Sequence, residues 1–294
     1  MKKINAIARL CKLFLNKKFT DLEDIANSYN SVSKNYEEIF LKEMYKYNEE
    51  MLEEMLEEII IKYTNDDLER KLNILDLACG TGFNSRFLHS TLNKANFTLV
   101  DISKGMLNES KKNCNFKASF IEKDMLSFLK ECDDNTFDIV ICAWAIKYQD
   151  PRKIIKEVSR VLKKHGYFAV IVNLKNTLPE VRKIYPSLVL ENYLKVDKIM
   201  KELPNPISKN SFERWFINNR FNKINTKSGK HIFKFNTSEE AVTFVSSTGA
   251  LAGFDAMVNI KNNKIKDKMI YLFNSKNIKT ITHRYVWGVF ENAK

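Results

Sequence analysis

Between Asn73 and Asn173, short runs of aliphatic, β-branched and aromatic residues alternate with helical ones. That alternation restricts the fold more than any other feature of the 294 residues. Strand-like runs fall at Asn73–Cys79, Phe97–Ile102, Ala118–Glu122, Phe137–Ala143 and Tyr167–Asn173, with helices at Phe83–Leu92, Lys104–Lys112, Met125–Lys130 and Pro151–Lys163 between them. Strands separated in this way are joined by right-handed crossovers, so the pattern predicts an α/β fold with a parallel sheet and helices on both faces. The flanks read differently. Residues 21–68 are helical in pattern throughout. After Asn173, helices at Pro179–Leu203, Ser211–Asn219, Glu239–Ser247 and Asp255–Phe273 accompany two strands, Ile232–Phe235 and Thr280–Glu291.

Composition narrows the setting. With 44% hydrophobic and 29% charged residues the chain is globular rather than disordered. No apolar run reaches the roughly 18 residues of a membrane span. Five cysteines without a CxxC pair fit a reducing, cytoplasmic location better than a disulfide framework. No His/Cys/Asp cluster has metal-ligand spacing, so no metal is expected. The net charge is +12, and all but nine of the 48 basic residues are Lys. Abundant Lys together with Asn reflects AT-rich coding, so the charge reads as a solvated surface with no obligatory nucleic acid partner. Lys2, Lys3, Arg9, Lys12, Lys17 and Lys18 crowd the first twenty residues, which contain no acid. Ile4, Ile7, Leu10, Cys11, Phe14 and Leu15 give that segment an apolar helical face. Arg9 and Lys12 break the run too early for a signal peptide. The segment reads as a helix packed on the body, or as a weak membrane or partner contact.

Chemistry concentrates where the first strand meets a glycine turn, Asp76-Leu77-Ala78-Cys79-Gly80-Thr81-Gly82, followed at once by a helix. Glycines allow a ligand close to the backbone, and the helix start offers unpaired N–H groups. A dinucleotide fingerprint needs a third glycine, and counted from Gly80 that place holds Ser85. Asp76 would also repel a pyrophosphate. It suits a ligand carrying a cationic amino group.

The turn resembles motif I of the class I S-adenosylmethionine-dependent methyltransferases, with Ala78 in place of the first glycine. Leu99-Val100-Asp101-Ile102-Ser103, Glu122-Lys123-Asp124-Met125, Phe137 to Ala145 and Val161 to Tyr167 resemble the later motifs in order. The resemblance implies a Rossmann-like, seven-stranded, mostly parallel sheet that binds S-adenosyl-L-methionine and yields S-adenosyl-L-homocysteine. It also implies cofactor contacts at Asp76, Ala78, Cys79, Gly80, Gly82, Asp101, Ile102, Asp124, Met125 and Ala143. Asp101 would hold the ribose hydroxyls, and Asp124 the adenine amino group. Ile25 to Glu37 is similar to the start of methyltransferases of quinone biosynthesis, which implies a cap in which Tyr29 and Tyr36 cover the cofactor. Phe235 to Gly249 is similar to the malonyl-carrier-protein branch. The organisation expected is a helical cap (1–68), a cofactor-binding core (69–174), a helical lid after strand five (175–230), and terminal strands with further lid helices (231–294).

Methyl transfer by in-line displacement to an O or N atom of a small-molecule acceptor is the reaction this implies. A hydroxyl or protonated amine requires a base. Candidates are Lys147 and Tyr148, after the fourth strand, and His231 and His283, on the terminal strands. Competing readings are methylation of RNA, protein or a carrier-bound acyl chain, and a non-catalytic binding protein of the same fold. Ala143-Trp144-Ala145-Ile146 lacks the prolines of DNA-adenine-type amino methyltransferases, which disfavours that branch.

Overall fold

A computed structural model describes residues 2–62, 71–260 and 262–294, without the side chains of Phe40, Leu41 and Lys62. The first helices are α1 (Lys2–Leu15), α2 (Leu22–Tyr36) and α3 (Lys42–Lys62), with a π-helical turn at Glu37–Leu41 between the last two. Then come β1 (Asn73–Leu77), α4 (Phe83–Thr91), β2 (Asn96–Asp101), α5 (Lys104–Asn113), β3 (Ala118–Glu122), α6 (Met125–Glu131), β4 (Phe137–Ala143), α7 (Pro151–Val161) and β5 (Leu162–Asn173). The chain continues through α8 (Pro179–Asn192), α9 (Lys209–Ile217), β6 (Phe221–Lys234), α10 (Ser238–Ser247), α11 (Phe254–Met257), α12 (Asn263–Ser275) and β7 (Thr280–Asn292). The expected seven-stranded sheet is present, in the order β3-β2-β1-β4-β5-β7-β6. Strands β1 to β5 pair in parallel, and β7 runs antiparallel to β5.

Several boundaries differ from the sequence pattern for physical reasons. β1 stops at Leu77 because Ala78 takes a left-handed φ of 55°. The helix predicted to reach Lys163 ends at Val161, and β5 begins at Leu162, paired with Phe137 ahead of a bulge. The long helix predicted over Pro179–Leu203 breaks after Asn192 into a 3-10 turn, Tyr193–Lys195. The predicted helix Asp255–Phe273 is two helices, α11 and α12. The strand predicted over Ile232–Phe235 proves to be the last residues of the 14-residue β6, which ends at Lys234, one residue short of Phe235. This strand closes one edge of the sheet, and its polar, Lys-rich text is what an edge strand carries against unwanted pairing. Of the helical stretch predicted over 21–68, residues 63–68 lie outside the described residues.

The described chain forms two compact units: Met1–Phe40 with Asn176–Leu203 and Lys230–His283, and Leu41–Lys175 with Pro204–Gly229 and Arg284–Lys294. The first is mainly helical. In it Asp21 caps α2 through a reciprocal box with Asp24, and Lys198 pairs with both carboxylates. Ser28 donates to Asp255 at 2.6 Å, and the Tyr185 ring lies 3.7 Å from that of Phe254.

The second unit holds the main sheet core. α7 shows how its text becomes structure. Asp150 caps it by accepting from the Arg152 N–H, and Pro151 occupies the first turn, where no N–H is required. Ile154, Ile155, Val158 and Val161 then fall on one face and are fully buried, each worth about 1.5–3 kcal/mol relative to exposure. The chain end is tied to this helix by Asn292, whose amide nitrogen lies 3.0–3.3 Å from the carbonyls of Ser159, Leu162 and Lys163. Its oxygen accepts from Ser159 Oγ at 3.1 Å. Asn292→Leu strands these buried acceptors, so urea denaturation should show a loss of about 2–3 kcal/mol. A loss below about 0.5 kcal/mol, the range of an ordinary surface change, contradicts this reading.

Candidate active site

In this sheet the chain order reverses between β1 and β4, and in open α/β sheets the crevice outside the strand ends at such a point is where ligands bind. Asp76 lies in β1, paired with Leu99 of β2 and Ile141 of β4, and is completely buried. One carboxylate oxygen, Oδ2, accepts from Ser85 Oγ at 2.8 Å. The other, Oδ1, is buried without a hydrogen-bond partner. Burial pushes its pKa up to about 7; the charge of Asp101 adds to the rise, and hydrogen bonds from the Ser85 hydroxyl and N–H and the Asn84 amide oppose it. Ser85 fills the place where a dinucleotide site needs glycine, and its hydroxyl is what holds Asp76.

Asp101 ends β2 and turns its carboxylate onto the turn after β1. Oδ2 accepts from Gly80 N–H at 2.9 Å, and Oδ1 from Ser103 N–H at 2.8 Å. Burial raises its pKa to about 6 against those two bonds and a third from Ile102 N–H. Gly80 has φ +56°, and a Cβ placed there would meet nothing within 4 Å, so open space adjoins the backbone. Gly82 is the opposite case. At φ +82° its added Cβ would lie 2.5 Å from Ser110 Oγ and 2.9 Å from Cys114 Sγ, so the glycine is what lets α4 start against α5. α4 has no side-chain cap, which leaves N–H groups at its start for a ligand. Cys79 is buried, and burial holds its thiol well above the ordinary range.

Asp124 caps α6, accepting from Ser127 N–H at 3.0 Å and from the Gln149 amide at 2.7 Å. Partial burial works to raise its pKa, but these bonds together hold it below the usual value. Met125, behind it, is buried against Cys142 Sγ at 3.7 Å. Ile102 is half-buried directly after Asp101, and Ala143 half-buried at the end of β4.

Beyond β4 the backbone is strained. Trp144 has φ 63°, an unfavourable value for a bulky residue, of the kind found at functional sites. Two side chains fix it there. Its indole Nε1 donates to Asn48 Oδ1 at 2.9 Å, and Asn48 Nδ2 donates to Asn84 Oδ1 at 2.8 Å. Both asparagines are buried, so α3 ties the turn after β4 to the first turn of α4. Tyr45 of α3 also stacks on Phe83 at 3.9 Å. Lys147 is 6% exposed, and its Nζ donates to the Trp144 carbonyl at 2.5 Å and to Asn173 Oδ1 at 2.9 Å. Among the described residues no carboxylate pairs with it. Burial pushes its pKa down to about 7. Tyr148 follows, with the Lys147 ammonium 4.7 Å from its ring centre.

Strand ends therefore bring together Asp76, Ala78, Cys79, Gly80, Gly82, Asp101, Ile102, Asp124, Met125, Ala143, Lys147 and Tyr148 in one unit. Tyr29, Tyr36, His231 and His283 belong to the other. There Tyr29 and Tyr36 pack edge to face at 6.0 Å, and His231 and His283 each lie edge-on to Phe233. Asn48, Asn84, Ser85, Gln149 and Asn173 are the participants that sequence reasoning missed. The legible trace of Asn48 is a lone amide on the face of α3 that otherwise buries Met44, Met51 and Met55.

Comparison with known proteins bears on the class of domain. Residues 74–166 match the family model described as a methyltransferase domain. The chain is 35% identical over 115 residues to the ubiquinone/menaquinone biosynthesis C-methyltransferase UbiE of Desulfotalea psychrophila, covering 38% of this chain and 45% of that protein. It is 25% identical over 125 residues to the malonyl-[acyl-carrier protein] O-methyltransferase of Brevibacillus brevis, covering 41% and 44%. The chain thus spans less than half the length of these two curated relatives. A candidate sarcosine dimethylglycine methyltransferase from Galdieria sulphuraria shares the fold, with TM-score 0.50 and 14% identity over 85% of this chain and 86% of that one. Residues 74–166 thus resemble a methyltransferase domain, and the chain is similar over part of its length to the small-molecule branch of the class I, S-adenosylmethionine-dependent methyltransferases. The unpartnered Asp76 oxygen, the open space at Gly80 and the carboxylate of Asp101 fit the ammonium and ribose hydroxyls of that cofactor.

Two substitutions test the carboxylates. Asp101→Ala should weaken S-adenosylhomocysteine binding at least about tenfold by fluorescence titration, the loss expected for a buried charged acceptor. Unchanged binding contradicts the assignment. Asp76→Asn has a second consequence, on stability. The folded carboxyl titrates near 7 and the unfolded one near 3.8, so stability falls as pH rises between those values. Asp76→Asn should raise the melting temperature of the free protein at pH 8 and do so less at pH 5. A lower melting temperature at pH 8 contradicts the uncompensated charge.

Proposed function

We propose that the protein is an S-adenosylmethionine-dependent methyltransferase that methylates an O or N atom of a small-molecule acceptor, with Lys147 as the base. The observation that carries the reading is a glycine turn framed by two buried carboxylates, Asp76 and Asp101, with Lys147 buried beyond the neighbouring strand. When bound, the sulfonium supplies a methyl group that passes to the acceptor's lone pair as its bond to sulfur breaks and a neutral thioether leaves. Asp76 would hold the cofactor's ammonium at Oδ1, Asp101 its ribose, and Asp124 with Met125 and Ile102 the adenine end. Tyr29 and Tyr36 are proposed to cap it, and the helices after strand five to close as a lid that excludes water.

Lys147 has the chemistry of a base. In its neutral form its two N–H bonds are taken by the Trp144 carbonyl and Asn173, which leaves the nitrogen lone pair to accept a proton. With a pKa near 7 it is neutral for much of the time at physiological pH. The relatives' names do not select an accepting atom, since one is a C-methyltransferase and one an O-methyltransferase. A base supports O–H or N–H acceptors over carboxylates, which need none. Tyr148, His231 and His283 are kept as secondary candidates. The five free cysteines support a reducing, cytoplasmic setting. No helix among the described residues is long and apolar enough to cross a membrane.

The test is a screen of phenols, amines and carboxylates with methyl-labelled cofactor, followed by a pH profile on the best acceptor. The rate should rise through pH of about 7 to a plateau. Lys147→Met should lower kcat by about 10²–10⁴-fold and remove the rise, with cofactor binding retained. Turnover of carboxylates alone, with a flat profile, overturns the assignment. Stability gives an independent check. The unfolded side chain keeps its proton to about 10.5 and the folded one releases it near 7, so stability rises with pH in that window. Lys147→Met should flatten that rise in denaturation curves; an unchanged slope argues against the burial.

A further inference from the structure

α1 has two apolar faces, and only one is used. Ala6 is buried and Leu10 and Leu13 half-buried on the inner face. Arg9 fixes the helix there, donating to the Val196 carbonyl at 3.0 Å and pairing with Asp197 at 3.0 Å. The outer face carries a second stripe, Ile4, Ile7, Cys11 and Phe14, spaced by three and four residues, with Leu15 beside it. These side chains are exposed: Ile4 by 70%, Ile7 by 53%, Phe14 by 62% and Leu15 by 78%. Cys11 is exposed as well.

The charges around this stripe say what covers it. At about 3.6 residues per turn, Lys3 falls at one border beside Phe14, and Lys12 at the other beside Ala8. Lys2, Lys17 and Lys18 are also exposed, and the first acid in the sequence is Asp21. A groove on a protein partner needs acids matched to individual lysines. A sheet of anionic headgroups meets any arrangement of them, while the stripe between enters the acyl boundary. A helix of this form lies in the membrane plane rather than across it, and α1 has only 14 residues.

We propose that the outer face of α1 is a reversible docking surface for anionic phospholipid bilayers. Phe14, Leu15, Ile7 and Ile4 are the inserting side chains, and Lys3 and Lys12 the bordering headgroup contacts. This inference is independent of the methyl-transfer reading, because no residue of the cofactor site takes part in it.

The full chain is sedimented with vesicles of pure phosphatidylcholine and with vesicles containing about one-quarter phosphatidylglycerol. Partition onto the anionic vesicles should be at least about tenfold stronger and fall steeply as salt rises. The double variant Ile7→Glu, Phe14→Glu should lose at least about tenfold of that partition, and Lys3→Gln, Lys12→Gln a smaller part. Both should stay folded, with the wild-type circular-dichroism spectrum, since Ile7, Lys3 and Lys12 are exposed and Phe14, 62% exposed, gives up an edge contact with Phe19 at 5.6 Å. Three results overturn the proposal: no sedimentation with anionic vesicles, equal binding to both compositions, or binding that survives Ile7→Glu, Phe14→Glu. Self-association removed by that double variant, without vesicle binding, also overturns it and assigns the face to a second copy of the chain.

Discussion

Asp76 is a carboxylate sealed within a sheet, with one oxygen held by Ser85 and the other without any hydrogen bond. A group in that state is costly to a folded protein, because the hydrogen bonds to one part of the carboxylate do not replace the hydration lost at the other oxygen. The surrounding construction keeps the cost in place. β1 lies between β2 and β4 and cannot turn the side chain out to solvent. Asp101, on the next strand, holds the turn by its Gly80 bond and adds a second buried negative charge. Such an arrangement becomes favourable when a cation with hydroxyl groups beside it enters, which is the chemistry of the cofactor this domain type uses. Strain stored at a site and relieved by ligand is a recurrent relation between stability and function.

The same logic extends to the turn after β4. Trp144 is held in a left-handed conformation by its indole bond to Asn48, and Asn48 reaches the first turn of α4 through Asn84. The strained backbone aims the Trp144 carbonyl at Lys147, whose buried amine divides its hydrogen bonds between that carbonyl and Asn173. One buried amide on α3 therefore links the cofactor turn to the segment that bears the proposed base. Because every member of this network is buried, each substitution within it leaves a partner unsatisfied.

Much of the fold could be read from the sequence because its text is locally consistent. The five parallel strands and the helices between them alternate cleanly, and caps such as Asp150-Pro151 mark where helices start. Asp76, Gly80, Gly82 and Asp101 were legible because a turn of this kind tolerates few residue types. The misses have definite causes. β6 reads as shorter than it is because an edge strand carries lysines and asparagines where interior strands carry valines. The start of β5 is hidden in the sequence because Leu162-Lys163-Lys164-His165 looks like a helix end, while the pairing of Leu162 with Phe137 is a tertiary matter. Asn48, Asn173 and Gln149 act over separations of 96, 26 and 25 residues from their partners, so no local pattern reveals them. The left-handed backbone at Trp144 is likewise invisible without the fold that enforces it.

The central claim is that the unpartnered oxygen of Asp76 receives a cationic group of the cofactor. Calorimetric titration with S-adenosylmethionine, repeated at pH 7 in buffers of different ionisation enthalpy, measures it directly. In the free protein Asp76 titrates near 7, and a bound ammonium stabilises its charged form. The account predicts binding accompanied by net release of roughly half a proton per site, a release that disappears in Asp76→Asn. Binding of equal strength with no proton release, or with release unchanged in Asp76→Asn, would contradict it.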